Sequence, residues 1–173
     1  MSNLRFFIPL VAAILLTTGC GPLRMTSEEK AAEAARTAAF VKNGLDSRNY
    51  RISVTRMYPL RGTSKVLSPP YSLKVEGKKL YSYLPYAGVA YSVPYGGGKA
   101  LNFDSEISEY YEDLSRADRR TITLSTDNGE DVLIYTIVVF DNGKADIDVR
   151  CRNREGIAFS GEIDETYVPD AKN

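Results

Sequence analysis

Hydrophobic and polar residues alternate over long stretches after residue 49, which is the pattern of β-strands with one buried face. The segment "YRISVTRMY" at Tyr50–Tyr58 places Tyr, Ile and Val on one side and Arg, Ser and Thr on the other. The segment "YSLKV" at Tyr71–Val75 repeats this alternation. We expect further strands between Tyr71 and Tyr91 and a short one at Leu101–Asp104.

Turn dipeptides divide the last third of the chain into hairpins. Asn128-Gly129 and Asn142-Gly143 predict two-residue turns because both residue types accept positive φ, and Glu155-Gly156 marks a third turn. The strands that these turns bound are Arg120–Thr126, Asp131–Phe140, Ala145–Cys151 and Ile157–Ile163. The second of these strands is apolar on both faces, which predicts a central strand covered on both sides, with the N-terminal helix on one of them.

A helical pattern precedes the strands. Thr26 and Glu29 have the spacing of a capping box, an alanine-rich stretch follows, and Gly44 stands where a C-terminal cap is needed. We therefore predict a helix over residues 27–43. The segment "EISEYYEDL" at Glu106–Leu114 is also helix-like in its spacing.

These elements predict a mostly β single domain over residues 26–173, with one N-terminal α-helix and about eight or nine antiparallel strands. Strands joined by short turns pair in chain order, and closure removes their exposed edges. We expect an antiparallel meander that closes into a small up-and-down barrel or forms a strongly curled sheet. A two-sheet β-sandwich is the alternative.

The first residues predict export and lipid attachment. Arg5 precedes an apolar run over residues 6–16, which is typical of a secretory signal peptide and too short to span a membrane. The following "TTGC" resembles the lipobox of bacterial lipoproteins, although Thr17 stands where leucine is usual. The resemblance implies removal of residues 1–19 and lipid on Cys20. The alternative is an ordinary cleaved signal peptide with an incidental cysteine.

A lipid on Cys20 would hold the domain at a membrane. Residues 20–25 form a tether that reaches roughly 20 Å when fully extended. The stretch "GPLRM" after the cysteine lacks the acidic run that resembles a surface-export signal, so we expect the periplasmic face of the outer membrane. Lipidation of Cys20 would leave Cys151 without a partner for an internal disulfide.

Charge and composition exclude several classes of function. The chain has 22 basic and 22 acidic residues, and loss of Arg5 with the signal peptide leaves a net charge near −1, which argues against a nucleic acid partner. The chain has no histidine, which excludes Ser-His-Asp and Cys-His catalysis and removes the commonest ligand of transition metals. "GGGK" at Gly96–Lys99 does not match a phosphate-binding loop. We therefore expect no cofactor and no metal.

Tyrosines in the segment "YLPYAGVAYSVPYGGG" are the first candidate binding residues. Flat rings with a hydroxyl suit a pocket or rim that holds a glycan or a lipid. The alternative is structural, with tyrosines on strand faces and with prolines and glycines that shape bends or barrel corners. The candidates are Tyr83, Tyr86, Tyr91 and Tyr95.

Arginines at alternate positions after Asp148 are the second candidate group. Their spacing predicts three guanidinium groups on one side of a strand, where they could contact lipid phosphate or an acidic partner. The alternative is cross-strand pairing with neighbouring acids. The three residues are Arg150, Arg152 and Arg154.

Three segments stand out beside the lipoprotein signal and the N-terminal helix: "LPYAGVAYSVPYGGG" at Leu84–Gly98, "LNF" at Leu101–Phe103 and "NREGIAFSGEI" at Asn153–Ile163. This combination resembles domain-of-unknown-function family 4251, whose members are exported or lipid-anchored proteins of Bacteroides-type bacteria. The resemblance covers residues 26–165 and implies a lipocalin-like barrel without a known activity. Ala87 and Val89 replace an aromatic residue and an arginine of the family pattern.

We expect a non-enzymatic, membrane-anchored lipoprotein of the cell envelope. It would bind a small apolar or glycan ligand or dock an envelope protein, and its oligomeric state is left open. A barrel filled by large side chains favours an interaction module, whereas a hollow barrel favours ligand binding inside. The alternative is a carboxylate-based hydrolase that acts on an envelope glycan.

Overall fold

The computed structural model describes residues 26–92 and 98–169. Within this part of the chain, α1 runs over Ser27–Asp46, and no helix is long and apolar enough to cross a membrane. The strands are β1 Asn49–Pro59, β2 Lys65–Val66, β3 Ser72–Glu76, β4 Lys79–Tyr83, β5 Asn102–Asp113, β6 Arg119–Asp127, β7 Val132–Phe140, β8 Lys144–Cys151 and β9 Ile157–Ile163.

Helix α1 begins as its sequence predicts and ends later than expected. The side chain of Thr26 accepts a hydrogen bond from the backbone N–H of Glu29, and the Glu29 carboxylate accepts one from the N–H of Thr26. Gly44 lies inside the helix, and Ser47 is the C-cap. A Cβ atom at Gly44 would stand 3.4 Å from the carbonyl oxygen of Asn49, which is an ordinary van der Waals distance, so the position does not require glycine.

The strands form one antiparallel sheet that closes on itself. Strands β1 and β3 to β9 pair in that order, and β9 pairs with β1 over Ile52–Pro59, which closes an eight-stranded barrel. The short β2 pairs with the end of β1 as an additional ninth strand. The predicted barrel with an N-terminal helix is confirmed, and the structure is not the alternative sandwich.

The closing pair depends on one glycine. The register between β1 and β9 shifts between Val54 and Arg56, which brings the two backbones close together at this point. A Cβ atom at Gly161 would lie 2.2 Å from the carbonyl oxygen of Ser53, a distance that no side chain permits. Glycine at position 161 is therefore required for closure of the barrel in this geometry.

The prediction of a helix-like segment at Glu106–Leu114 is wrong, because all of these residues except Leu114 belong to β5. The pairing of β5 with β6 shifts register between Ile107 and Glu109. This irregularity lets Ile107 and Tyr110 both pack against the core although they are three positions apart. A spacing of three is the helical signal, so the bulge gives a strand the pattern of a helix.

Two of the three predicted turns join neighbouring antiparallel strands, but neither is the expected two-residue turn. The connections are residues 128–131 between β6 and β7 and residues 141–143 between β7 and β8, and positive φ occurs there at the glycines, +82° at Gly129 and +81° at Gly143. The third dipeptide lies in a longer connection over residues 152–156, between β8 and β9. Arg154 and Glu155 in this connection are buried, so this part of it belongs to the interior and is not an exposed turn.

Large side chains fill the interior of the barrel. Inward-facing residues come from every barrel strand, and Ser82 is a polar member of this set that donates a hydrogen bond to the carbonyl oxygen of Leu101. A barrel of eight strands is just wide enough for its side chains to pack as a core. The largest fully buried side chains of the strands are Tyr135, Phe159, Ile52, Leu73, Leu80, Ile122, Leu124, Leu133, Ile137 and Ile147.

Helix α1 covers one end of the barrel. Val41 and Leu45 join the core cluster, and the guanidinium of Arg120 at the start of β6 pairs with Asp46 at 2.6 Å. The prediction that β7 is covered on both sides is therefore wrong for its outer face. Because the helix packs across the end of the barrel, Ile134 on the outer side of β7 remains 41% exposed.

Candidate functional site

The segment that follows β4 covers the opposite end of the barrel. Leu84 is buried, and its backbone N–H donates to the carbonyl oxygen of Leu101 at 3.2 Å. Further along, Ala90 forms a bridge with Arg154 in the connection between β8 and β9. The backbone N–H of Tyr91 donates to the carbonyl oxygen of Asn153 at 2.8 Å. The described part of the tyrosine-rich segment is therefore attached to that connection.

Tyr86 fixes this attachment from inside. Its hydroxyl donates to the carbonyl oxygen of Glu155 at 2.9 Å and approaches the carbonyl oxygen of Val89 at 3.2 Å. The guanidinium of Arg154 lies over the ring, 5.4 Å from its centroid. Burial raises the pKa of Tyr86 above its usual value, so the hydroxyl stays a proton donor. Tyr86 thus joins the tyrosine segment to the connection between β8 and β9, and its role in ligand binding stays a prediction.

Arg154 is buried and paired, with 5% of its side chain exposed. Its Nε lies 3.3 Å from Oδ2 of Asp131, whose side chain is fully buried, and its terminal nitrogen lies 3.9 Å from Glu130. The Asp131 carboxylate also accepts hydrogen bonds from the backbone N–H groups of Arg152 and Asn153, at 2.9 and 3.0 Å. A buried charge of either sign is thus compensated at short range.

The prediction of three arginines on one side of a strand is wrong. Strand β8 ends at Cys151, so only Arg150 belongs to it, where it is exposed and lies 3.4 Å from Asp148. Arg152 is exposed in the following connection, whereas Arg154 turns inward to Asp131. Alternate residues share one face only within a strand, so the spacing of the arginines no longer predicts their direction after Cys151.

Glu155 completes what we call the buried polar cluster, which consists of Tyr86, Asp131, Arg154 and Glu155. One oxygen of the Glu155 carboxylate accepts a hydrogen bond from the N–H of Val89 at 3.1 Å, and the other lies 3.0 Å from the exposed guanidinium of Arg61. Sequence reasoning did not identify Asp131 and Glu155 as partners of the tyrosine segment. No local sequence pattern links these residues, because they are far apart along the chain.

A second polar region lies on the outside of the barrel. Side chains of β3, β4 and β5, together with the C-terminal segment Thr166–Val168, line an open groove of about 680 Å³. We call it the outer groove. Among the four candidate tyrosines, Tyr83 lines it.

Strand pairing arranges the floor of the outer groove in two rows. One row runs across four strands through Arg51, Lys74, Tyr81 and Asp104, which are direct neighbours in register. The second row contains Ser72, Tyr83 and Asn102. The alternation of polar and apolar residues predicts that these side chains lie on the polar faces of strands. Their neighbours on adjacent strands depend on the register of pairing, which the sequence does not give. Sequence reasoning therefore missed all of them except Tyr83.

Ion pairs hold the cations of the outer groove. Arg51 binds the Asp164 carboxylate with its Nε at 2.8 Å, and Lys74 binds Glu76 at 2.9 Å while its Nζ lies 4.0 Å above the ring centroid of Tyr81. Burial raises the pKa of Glu76, but hydrogen bonds from Tyr167 and Lys74 outweigh burial, so this pKa lies below its usual value. The pKa of Asp164 is likewise lowered, because hydrogen bonds from Thr166 and Arg51 outweigh burial.

The remaining predicted site residues lie elsewhere. Tyr91 is 68% exposed and does not line the outer groove. Tyr95 and Cys20 lie outside the described residues. Cys151 is half-buried beside Asp131, and burial, reinforced by that negative charge, raises the pKa of its thiol to about 11. Among residues 26–92 and 98–169, no group of three Cys, Asp or Glu side chains is placed to hold a metal ion.

Comparison with known proteins identifies the family. Among solved structures, the chain is similar to the crystal structure of a DUF4251 family protein from Bacteroides eggerthii DSM 20697, with a TM-score of 0.59 and 12% sequence identity. The similarity covers 76% of this chain and 89% of that chain, and it concerns the fold alone. Comparison with curated proteins gave no match. A family model described as Domain of unknown function (DUF4251) matches residues 32–163, so the chain belongs to that family.

Proposed function

We propose that this protein is a non-enzymatic, lipid-anchored component of the cell envelope that binds its partners on the outside of a filled barrel. The observation that carries the proposal is the interior, which is packed with side chains such as Tyr135 and Phe159. Helix α1 covers one end of the barrel, and the segment after β4 covers the other. A small apolar ligand inside the barrel would have to displace this core, at a cost of several kcal/mol.

The lipid anchor rests on the sequence and on the position of the helix. Cys20 follows an apolar signal sequence, and α1 begins at Ser27. The short tether would hold the barrel near the membrane, on the periplasmic face of the outer membrane. Metabolic labelling with an azide-bearing palmitate tests this part of the proposal. Wild-type protein should take up the label and Cys20→Ala should not, and unlabelled wild-type protein would contradict the anchor.

The buried carboxylates favour a non-enzymatic role. Asp131 is occupied by two backbone N–H groups and by Arg154, and Glu155 is occupied by the N–H of Val89 and by Arg61. A glycosidase needs two carboxyl groups on either side of the scissile bond. In the part of the chain that the structure describes, the outer groove is lined by one carboxylate, Asp104. The carboxylate-based hydrolase is therefore the weaker candidate.

Benzene uptake tests whether the interior is filled. Full-length wild-type protein should show no saturable binding of benzene, because a packed core offers no void for it. Phe159→Ala supplies the matched control, since removal of a ring that is 1% exposed leaves an apolar cavity of a kind that binds benzene. Ile137→Val serves as a second core variant that folds with little loss of stability and creates almost no cavity. Saturable binding to the wild-type barrel would overturn the proposal.

A further inference from the structure

We propose that the outer groove is a binding site for a neutral oligosaccharide. The inference rests on the proposed function, since it names the ligand class for a partner bound outside the barrel. It assigns the stacking contact to Tyr83 and the polar contacts to Ser72, Asn102 and Asp104, which lie on neighbouring strands. The volume of about 680 Å³ is within the range of small-molecule sites.

The spacing of the floor suits a chain of sugar rings. Neighbouring strands lie about 4.8 Å apart, so three strands present polar groups over about 10 Å. Across this width, the row of Ser72, Tyr83 and Asn102 offers a hydroxyl, a ring and an amide, and Asp104 lies in the adjacent row. Hydroxyl, amide and carboxylate groups can donate to or accept from the many hydroxyls of a sugar.

Tyr83 is held in place before a ligand arrives. Its ring stacks on that of Tyr71 with centroids 5.5 Å apart and an angle of 24° between the planes. Tyr71 therefore supports one face of the ring, while 43% of the surface of Tyr83 is exposed. The C–H face of a sugar ring can pack on the electron-rich face of an aromatic ring. Because the ring is already ordered, binding costs little side-chain entropy.

The charges of the groove favour a neutral ligand. Arg51 and Lys74 are paired with Asp164 and Glu76. Of the other charged residues that line the groove, Lys99 and Asp104 form no ion pair within the described part of the chain, and their opposite charges offset each other. A uronic acid or a phosphate would need a site with net positive charge, or an arginine free to bind it in bidentate fashion, to replace its hydration. The outer groove offers no excess of positive charge for that purpose.

The C-terminal segment supplies a preformed wall. The hydroxyl of Tyr167 donates to Oε1 of Glu76 at 2.5 Å, and the ring lies 5.3 Å from the guanidinium carbon of Arg51. These contacts attach the wall to the outer faces of β1 and β3. A wall that is already docked adds contact area for a ligand without an ordering step on binding.

Titration calorimetry on the protein as its own host processes it, purified in detergent micelles, tests the proposal. The probes are tetrasaccharides of cellulose, starch, xylan, mannan and chitin, with tetragalacturonate as the anionic counterpart. We expect saturable binding of at least one neutral probe in a ratio of one to one, with a dissociation constant of about 1 mM or lower. The tetragalacturonate should bind more weakly than that probe.

Variants assign the binding to the groove. Tyr83→Ala should weaken the binding by about tenfold or more, whereas Tyr83→Phe keeps the stacking ring and should stay close to the wild type. Asn102→Ala should also weaken it, because it removes an amide partner of the sugar hydroxyls. Tyr111→Ala is the matched control, since Tyr111 is 67% exposed on β5 and does not line the groove. This control should bind like the wild type.

Three results would overturn the inference. They are a lack of binding by every neutral probe up to about 10 mM, tighter binding of tetragalacturonate, and unchanged binding by Tyr83→Ala. None of these results tests the proposed function, which is contradicted if the wild-type barrel binds benzene. The two proposals can therefore be refuted separately.

Discussion

The buried polar cluster and the outer groove are both built from tyrosines and charged residues, but they differ in where their polar groups find partners. In the cluster, the hydroxyl of Tyr86 donates to a backbone carbonyl, and the buried Arg154 forms an ion pair with Asp131. In the groove, Tyr83 and Asp104 keep much of their surface exposed. A high content of tyrosine therefore does not by itself indicate a binding site. A better indication is a group of polar side chains that the fold holds in place and leaves accessible to a ligand.

The largest expected difference between the two regions comes from Asp131→Asn. This change removes the charge that faces the buried guanidinium of Arg154 while it keeps the shape of the side chain. A buried charge left without its partner lowers the free energy of unfolding by about 3 to 5 kcal/mol. Urea unfolding followed by circular dichroism measures the loss.

Asp104→Asn is the matched change in the outer groove. Asp104 is exposed, so its substitution should alter the free energy of unfolding by less than about 0.5 kcal/mol. Equal effects of the two substitutions would contradict the distinction between a structural cluster and an accessible groove.

A pair of Tyr→Phe substitutions compares the buried polar cluster with the outer groove by removing one hydroxyl from each. Tyr86→Phe leaves the carbonyl oxygen of Glu155 without its donor at 2.9 Å, so we expect a loss of about 1 to 2 kcal/mol in the free energy of unfolding. Tyr83→Phe should change it little, because the ring and its stacking on Tyr71 remain. If Tyr83→Phe proved the more damaging of the two in urea, the roles assigned to these tyrosines would be reversed.

The sequence predicted the barrel because its signals are local. Alternation and Asn-Gly turns specify strands and hairpins within a few residues of one another, as at Asn142-Gly143. The same local reasoning was wrong for β5, where the bulge after Ile107 changes the period. It was also wrong for Arg154, which leaves the line of the strand after Cys151. The bulge and the strand end depend on pairing partners that no local pattern reveals.

The candidate sites depend even more on distant partners. Val89 and Glu155 meet although 66 residues separate them, and Tyr86 reaches the carbonyl of Glu155 over 69 residues. The sequence indicated that tyrosines near position 83 matter, but it did not separate the half-buried, hydrogen-bonded Tyr86 from the exposed Tyr83. The two differ because Tyr86 packs at the end of the barrel, whereas Tyr83 lies on the outer face of β4.

Acid should affect the wall of the outer groove through Glu76 and Asp164, whose pKa values are lowered. The pKa of these side chains in an unfolded chain is about 4.3 for Glu and about 3.9 for Asp. At a pH above these values, a carboxylate with a lowered pKa stabilises the folded arrangement, and this stabilisation is lost as the pH falls through the folded pKa. The amide resonances of Thr166 and Tyr167 should therefore titrate with midpoints below these values. In Glu76→Gln, the Tyr167 amide resonance should no longer show the part of its pH dependence that comes from Glu76. Titration midpoints of the wild-type resonances at or above the ordinary pKa values would exclude this attachment of the wall.

Cys151 reports on the buried polar cluster through the reactivity of its thiol. Burial first, and then the charge of Asp131, raise its pKa to about 11, which leaves little thiolate at pH 8. Iodoacetamide should therefore modify Cys151 about tenfold or more slowly in the native protein than in urea, as followed by mass spectrometry of its peptide. In conditions where Asp131→Asn remains folded, loss of the neighbouring negative charge should speed the modification, whereas Asp104→Asn should leave it unchanged. A native rate equal to the rate in urea would mean that Cys151 is not shielded by the cluster, and the end of the barrel would then be more open than the contacts of Asp131 and Arg154 require.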